Sequence, residues 1–239
     1  MFYLIGLGLN EKNISKQGLE AIEKCSKVYL ESYTVNFPYT INALEKIIGK
    51  KISPAERDFV ERPGLIAEAK KQNIALLVYG SPLTATTHIS LIHEAKEKKV
   101  KCEMIFNASV IDAIGETGLQ LYKFGKISSM PLWEKDKHYQ PDSFMEIVKE
   151  NRFINAHSLI LIDIGLELRR ALFQLEISAG KHDFRVEKIV VCSRLGTKDS
   201  RIFYGTIREL KNKEIKSPYC LIIPGKLHFF EEEVLKEFE

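Results

Sequence analysis

Cysteine is scarce in this chain and never near another cysteine. The four, Cys25, Cys102, Cys192 and Cys220, are widely spread and show no CxxC spacing. That excludes a zinc knuckle, and because each thiol lies beside or inside an apolar stretch, reduced core residues are expected rather than a disulfide frame. No apolar run is long enough to cross a bilayer. Phe2–Ile5, directly after Met1, has no basic residues before it and is too short for an export signal, so a cytoplasmic protein without membrane contact is expected. Strong charge is missing as well: at +3 the net charge gives no electrostatic reason to invoke a nucleic acid. Repeats, low-complexity tracts and Pro/Ser-rich linkers are absent. His88 and His93, five apart, point about 140° apart around a helix at roughly 100° per residue, so no metal pair arises. His88 reads as a loop-end hydrogen-bonder and His93 as a surface residue. The acidic run Glu231–Glu233 reads as a solvated helix face.

What is present is a globular composition, 45% apolar and 28% charged over 239 residues, sufficient for one large domain or two smaller ones. The organising stretch is Ile74–Val78 followed by Tyr79, Gly80-Ser81-Pro82-Leu83-Thr84-Ala85-Thr86-Thr87-His88. The apolar run is continuous rather than alternating, as in a parallel strand covered on both faces, and in such sheets ligands sit beyond the carboxyl ends of strands. Gly80 permits close backbone approach, Pro82 stops the ladder, and Ser81, Thr84, Thr86 and Thr87 supply neutral hydrogen-bond groups. The plainer alternative is a helix entry capped by Thr86 or Thr87.

Phe2–Ile5 leads into Gly6-Leu7-Gly8-Leu9-Asn10, and Ser15 then opens a helix carrying Leu19 and Ile22. Strand, glycine loop and helix, with Glu31 ending the next strand, suggest a dinucleotide site. Position 11 is Glu where that fingerprint requires its third glycine, which disfavours a nicotinamide or flavin enzyme. Helical periodicity covers Ile41–Ile48, 65–71 after Pro63-Gly64, and 88–98. An alternating strand over 101–106 ends at Asn107-Ala108-Ser109-Val110. This alternation implies a first α/β domain with a mostly parallel sheet, residues 1–112, and a second over 113–239. The second begins with the glycine-bounded stretch Thr117–Gly125 and a strand near 127–130. An irregular loop follows over Pro131–Pro141, with Trp133, His138 and Tyr139. Then come a helix at Phe144–Phe153, a strand at Leu159–Asp163, a helix at Leu166–Ile177, strands at 188–193 and Arg201–Gly205 pairing antiparallel, and a last strand at Tyr219–Ile223. A mixed sheet is expected there, with the two halves enclosing a ligand cleft.

With these segments placed, the chain resembles the diphthine synthases, diphthamide-biosynthesis methyltransferases of archaea and eukaryotes in the tetrapyrrole-methylase-like superfamily. The residues carrying the resemblance are IGLGL at Ile5–Leu9, KQGLEAIEKC at Lys16–Cys25, GSPLTATTH at Gly80–His88, TGLQLYKFGK at Thr117–Lys126 and IPGKLHFFE at Ile223–Glu231. They occur in the family's order over nearly the whole chain. GSPLTATTH marks the superfamily; TGLQLYKFG together with PGKLH is specific to this member.

The resemblance implies an α/β fold of two tetrapyrrole-methylase-type domains binding S-adenosylmethionine in the cleft between them, usually in a homodimer. Its cofactor contacts fall on Leu9, Ser81, Thr84, Ser109 and Val110 and, from the second domain, Ile162, Leu195 and Cys220. No catalytic side chain and no metal is implied. His228 and Lys226, in the C-terminal motif, are as compatible with closing the last strand as with chemistry. The implied substrate is the amino group of a modified histidine on translation elongation factor 2, with S-adenosylhomocysteine as product. The chain departs from the family at Ser81, where an aspartate is usual, and after Asp163, where the connection is shorter. Alternatives are a superfamily methylase with another substrate, such as a corrin precursor or ribosomal RNA, and a methyl-donor-binding homologue that has lost turnover.

Overall fold

The computed structural model describes residues 1–62, 64–134 and 139–239; Pro63 and His138, named above, lie outside the described residues. The chain divides into two compact units, Met1–Ile111 and Asp112–Glu239.

The first unit runs β1 (Phe2–Gly6), α1 (Lys16–Glu23), β2 (Lys27–Glu31), α2 (Ile41–Ile48), β3 (Ser53–Ala55), α3 (Arg57–Glu61), α4 (Gly64–Ala69), β4 (Ile74–Val78), α5 (Ile89–Glu97) and β5 (Cys102–Ile105), and α6 (Val110–Ala113) runs across the division. Its sheet has the order β3-β2-β4-β1-β5, and every pairing is parallel. The continuous apolar runs are explained by burial on both faces. Phe2 and Leu4 of β1 join Ile74, Leu76 and Val78 of β4 in one core with Leu65, Leu91 and Ala95. Tyr3, Ile5, Ala75 and Leu77 point the other way, into a core with Ala21, Ile22 and Leu44. The helix after β1 thus covers one face and the helix after β4 the other. The chain leaves these adjacent strands in opposite directions, which opens a crevice at their carboxyl ends.

Local signals set the helix ends. Ser15 caps α1 by accepting from the Gly18 N–H at 3.0 Å, and Thr40 caps α2 by accepting from Ala43. Gly49 ends α2 at φ +71°, in the left-handed region. Neither Thr86 nor Thr87 caps α5. Ala85 takes φ +53° and the loop continues to His88, so the first helical residue is Ile89.

The second unit contains β6 (Ser128–Met130), α7 (Phe144–Phe153), β7 (Ser158–Ile162), α8 (Leu168–Lys181), β8 (Ile189–Ser193), β9 (Arg201–Gly205), α9 (Ile207–Leu210), β10 (Tyr219–Ile223) and α10 (Phe229–Lys236). The sheet order is β6-β7-β10-β8-β9, with β6 parallel to β7 and the remaining pairs antiparallel. One face carries a core of Ile160, Ile189, Val191, Leu221 and Ile223 packed by Met145, Val148, Leu172 and Leu175. The stretch Thr117–Gly125 follows a 3-10 turn at Ile114–Thr117 and contains a second at Leu121–Lys123. The helix expected from Leu166 begins at Leu168 and extends to Lys181, because Gly165, at φ +77°, spends the intervening residues on a turn. Trp133 is buried, its indole N–H donating to the Pro141 carbonyl at 2.9 Å, so it packs locally. Among the described residues no helix is long and apolar enough to cross a membrane.

Candidate functional site

The crevice between β1 and β4 is built from main chain. After β1, Gly8 donates to the Gly80 carbonyl at 3.0 Å and accepts from the Gly80 N–H at 2.9 Å, while Leu7 donates to Val78 at 2.9 Å. Both glycines hold positive φ, +71° and +70°. A side chain at Gly6 would place its Cβ 2.6 Å from the Gly80 carbonyl oxygen, so only glycine lets the two loops meet. The third loop, after β5, is tied in by Asn107, whose amide donates to Gly6 at 3.1 Å and to Asn13 at 2.9 Å. Asn13 in turn accepts from the Leu9 and Asn10 N–H groups. A Cβ on Gly80 would touch Ser109 at 3.5 Å.

The Gly80–His88 stretch is gathered on one carbonyl. Pro82 accepts from the Thr86 hydroxyl at 3.0 Å and from His88 Nδ1 at 3.2 Å. A carbonyl can only accept, so Nδ1 carries a proton. Thr84 N–H closes a turn onto the Ser81 carbonyl at 3.2 Å. Leu9, Ser81, Thr84, Ser109 and Val110 therefore occupy three adjacent loops at the carboxyl end of the first sheet. Leu9 and Ser109 are buried and the others half-buried. In the second unit Ile162 ends β7, and Cys220 of β10 stands opposite Leu161 of β7 and Cys192 of β8. Leu195 lies just past β8, after Arg194, whose N–H donates to Pro218 at 2.8 Å. These three share one end of the second sheet.

The donor atoms on offer are chiefly peptide N–H and C=O groups flanked by apolar side chains. That chemistry suits a neutral heterocycle and an amino-acid tail. At the junction itself the space beside the glycines is filled by protein, a Cβ on Gly8 meeting Asn13 at 2.5 Å, and the backbone groups of the loops around it are a set that fits S-adenosylmethionine. Among the described residues no cluster of metal-ligating side chains occurs.

A second constellation was not legible in advance. Glu231, expected on a solvated face, is wholly buried; only Glu232 and Glu233 of that run are exposed. Its Oε1 accepts from the Gln120 N–H at 2.9 Å and from His157 Nε2 at 3.0 Å, and its Oε2 accepts from the His228 N–H at 2.7 Å and from Lys123 Nζ. Burial alone would push this carboxyl up. The Gln120 and His228 N–H groups, then Lys123 and His157, outweigh it and hold the group at about 2. His157 is neutral, since burial lowers its pKa and its Nδ1 accepts from the Gly225 N–H at 2.9 Å. His228 caps α10 in a reciprocal box with Glu231, a structural role. The segments TGLQLYKFGK and PGKLHFFE, far apart in sequence, thus meet at one carboxylate.

Other residues of interest that were not singled out are Asn13, Asn107 and Tyr79, and Glu31 beyond its place in the rejected dinucleotide pattern. Glu31, at the end of β2, is wholly buried with Oε1 unpartnered, and burial raises its carboxyl above the usual range. For Tyr79, Asn107 and Glu31 the signal available was a position at or just past a strand end; Asn13 had only its place in the loop after β1.

Residues 1–211 match the model of the tetrapyrrole (corrin/porphyrin) methylases. The chain belongs to that family and is a methyltransferase; S-adenosylmethionine is the methyl donor of such enzymes in general. Within the family its similarity runs to diphthine synthases over full length. It is 38% identical to the diphthine synthase of Methanocaldococcus jannaschii, covering 99% of this chain and 98% of that protein. It is 35% identical to the diphthine methyl ester synthase of Schizosaccharomyces pombe, covering 100% and 94%. A crystal structure of a diphthine synthase superposes with a TM-score of 0.89 at 32% identity, covering 99% of this chain and 95% of that one.

Proposed function

We propose that this protein methylates the amino group of the aminocarboxypropyl-modified histidine of translation elongation factor 2, as a diphthine synthase in diphthamide biosynthesis, in the cytoplasm and as a homodimer. The observation that carries the reading is the doubly hydrogen-bonded Gly8–Gly80 junction at the β1/β4 crevice, in a chain whose full-length relatives are named diphthine synthase and diphthine methyl ester synthase. Leu9, Ser81, Thr84, Ser109 and Val110 are assigned to the donor from the first unit, and Ile162, Leu195 and Cys220 from the second.

Bound S-adenosylmethionine supplies a methyl carbon already activated by its sulfonium, and S-adenosylhomocysteine is left. The protein's part is positional: to hold an amine about 3–3.5 Å from that carbon, in line, with water excluded. The amine must arrive unprotonated, and apolar surroundings disfavour its charged form. No side chain is required as nucleophile.

The test is incubation with isotopically labelled donor and the modified elongation factor, followed by mass analysis of the target histidine. Label accumulating on that amine is expected; an additional alkali-labile methyl would mark methyl ester formation. Donor binding by calorimetry without transfer would identify a homologue that has lost turnover. Transfer to a corrin precursor or ribosomal RNA instead would identify a different methylase.

A further inference from the structure

Phe37, Tyr39 and Tyr79 form an aromatic cluster at the carboxyl end of the first sheet. Phe37 stands edge-on to Tyr39, with ring centroids 5.4 Å apart at 72°, and edge-on to Tyr79, at 5.5 Å and 83°. All three rings are half-buried, so part of each surface stays accessible while Phe37 and Tyr39 rest on the core beneath α1 and α2. The cluster is tied to the glycine loop, because the Tyr79 hydroxyl donates to the Leu9 carbonyl at 3.2 Å.

One carboxylate, that of Glu11, bears on the cluster. Burial raises the Tyr39 phenol far above its ordinary range, and the nearby charge of Glu11 adds to the effect. The Tyr39 hydroxyl has no hydrogen-bond partner. At the root of the same 31–40 loop, the buried Glu31 leaves one oxygen unpartnered. The loop already holds one cation by a ring face: the Arg57 guanidinium lies 5.1 Å from the Tyr33 ring centroid. Partly exposed aromatic faces beside a carboxylate attract a cation even when it has no N–H to donate, which is the situation of a sulfonium or a fully alkylated ammonium.

Resting on the methyltransferase reading, we propose that Phe37, Tyr39 and Tyr79 form a subsite for a methylated onium centre, either the sulfonium of the donor or the N-methylated ammonium of the acceptor. Hydrogen bonds lose their grip on the acceptor as its N–H groups are replaced by methyls, whereas ring faces do not. An acceptor nitrogen that takes more than one methyl keeps such a contact throughout.

The test uses the full chain and a probe pair that requires no turnover: choline and its uncharged isostere 3,3-dimethylbutan-1-ol, titrated by calorimetry or NMR. The wild-type protein should bind choline about tenfold more tightly than the alcohol. The preference should vanish in Phe37→Leu and Tyr39→Leu, which keep apolar bulk but remove a ring, and survive in Tyr39→Phe. Equal affinity of the wild-type protein for the two probes overturns the proposal without reliance on any variant, and so does a choline preference that persists in both leucine variants. Two further arms separate the sources. A leucine variant that loses about tenfold in affinity for S-adenosylmethionine but not for S-adenosylhomocysteine assigns the subsite to the sulfonium. A variant that keeps both affinities but stalls at partly methylated histidine assigns it to the acceptor. Failure of the wild-type protein to transfer label to the elongation factor would sink the functional reading, while the choline comparison would still decide the onium subsite by itself.

Discussion

His157 donates from Nε2 to Glu231 Oε1 at 3.0 Å with both side chains wholly buried, and the other ring nitrogen, Nδ1, accepts from the Gly225 N–H at 2.9 Å. The imidazole thereby clamps the strand end before Gly225 to the first turn of α10. A Cβ at Gly225 would come within 2.4 Å of the Ala156 carbonyl oxygen, so the glycine is required for the clamp to close.

Replacing Glu231 with Gln removes a charge while keeping the volume, and turns an amide donor toward a ring of donors. Lys123 and His157 would lose their partner inside the protein. A loss of about 3 kcal/mol in unfolding free energy is expected, the scale for breaking a buried ion pair from one side. Equilibrium urea denaturation checks this. A change below about 1 kcal/mol would show that the network adds little to stability.

The same residue shapes the acid limb. Its carboxyl titrates near 2 in the folded protein against an ordinary value of 4.5. The depressed value means that its contribution is fully present above pH 4.5 and is lost as pH falls toward 2. His157, also depressed from 6.5, adds a loss that begins below that pH, because the unfolded imidazole takes up the proton more readily. Melting temperatures from pH 7 to pH 3 should show the gap between wild-type and Glu231→Gln steady above pH 4.5 and narrowing below it. A gap that widened on acidification would contradict the assignment.

Gly8→Ala should weaken donor binding at least about tenfold. The added Cβ must adopt φ +71° and would lie 2.5 Å from the Cβ of Asn13, which organises the Leu9 and Asn10 N–H groups. Gly49→Ala is the control, since it has the same φ but no atom within 4 Å of its Cβ. Gly49→Ala should lose about 1–2 kcal/mol of stability from the left-handed backbone, and Gly8→Ala more, because Asn13 must also move. Only Gly8→Ala should alter calorimetric binding of S-adenosylmethionine.

Ser81→Asp places at the start of the loop after β4 the carboxylate that the resemblance to the diphthine synthases implies there. A charge-assisted hydrogen bond to the donor is worth about 1.5–3 kcal/mol. Affinity should rise roughly ten- to hundredfold by calorimetry if Ser81 faces the donor, and unchanged affinity would place the residue outside the site.

Much of the architecture was legible because it rests on local rules. Ile74–Val78 announced a two-faced burial by having no polar member, Ser15 and Gly49 marked helix ends by side-chain and backbone chemistry, and Arg201–Gly205 returned against β8 as its glycine turn implied. The short edge strand β3 went unseen because Ser53-Pro54-Ala55 has neither length nor alternation; its proline is tolerated at an edge, where one ladder bond can be missing. The acidic run in α10 reads as a solvated helix face throughout, because composition cannot distinguish a solvated glutamate from one that collects four donors. Cys192 and Cys220 gave no hint that they would stand opposite each other across β8 and β10, since register is a property of the paired strands.

The order of residues alone determined two α/β segments, the strand ends that offer backbone groups, and the glycines that let loops approach, because propensity, periodicity and steric freedom act over a few neighbouring positions. Only the folded chain decided which strand ends became neighbours, that Glu231 would be buried among Gln120, Lys123, His157 and His228, and that Phe37 would meet Tyr79 beside Leu9. Those outcomes depend on strand order and on the desolvation of charge, which are set by parts of the chain tens to more than a hundred residues apart.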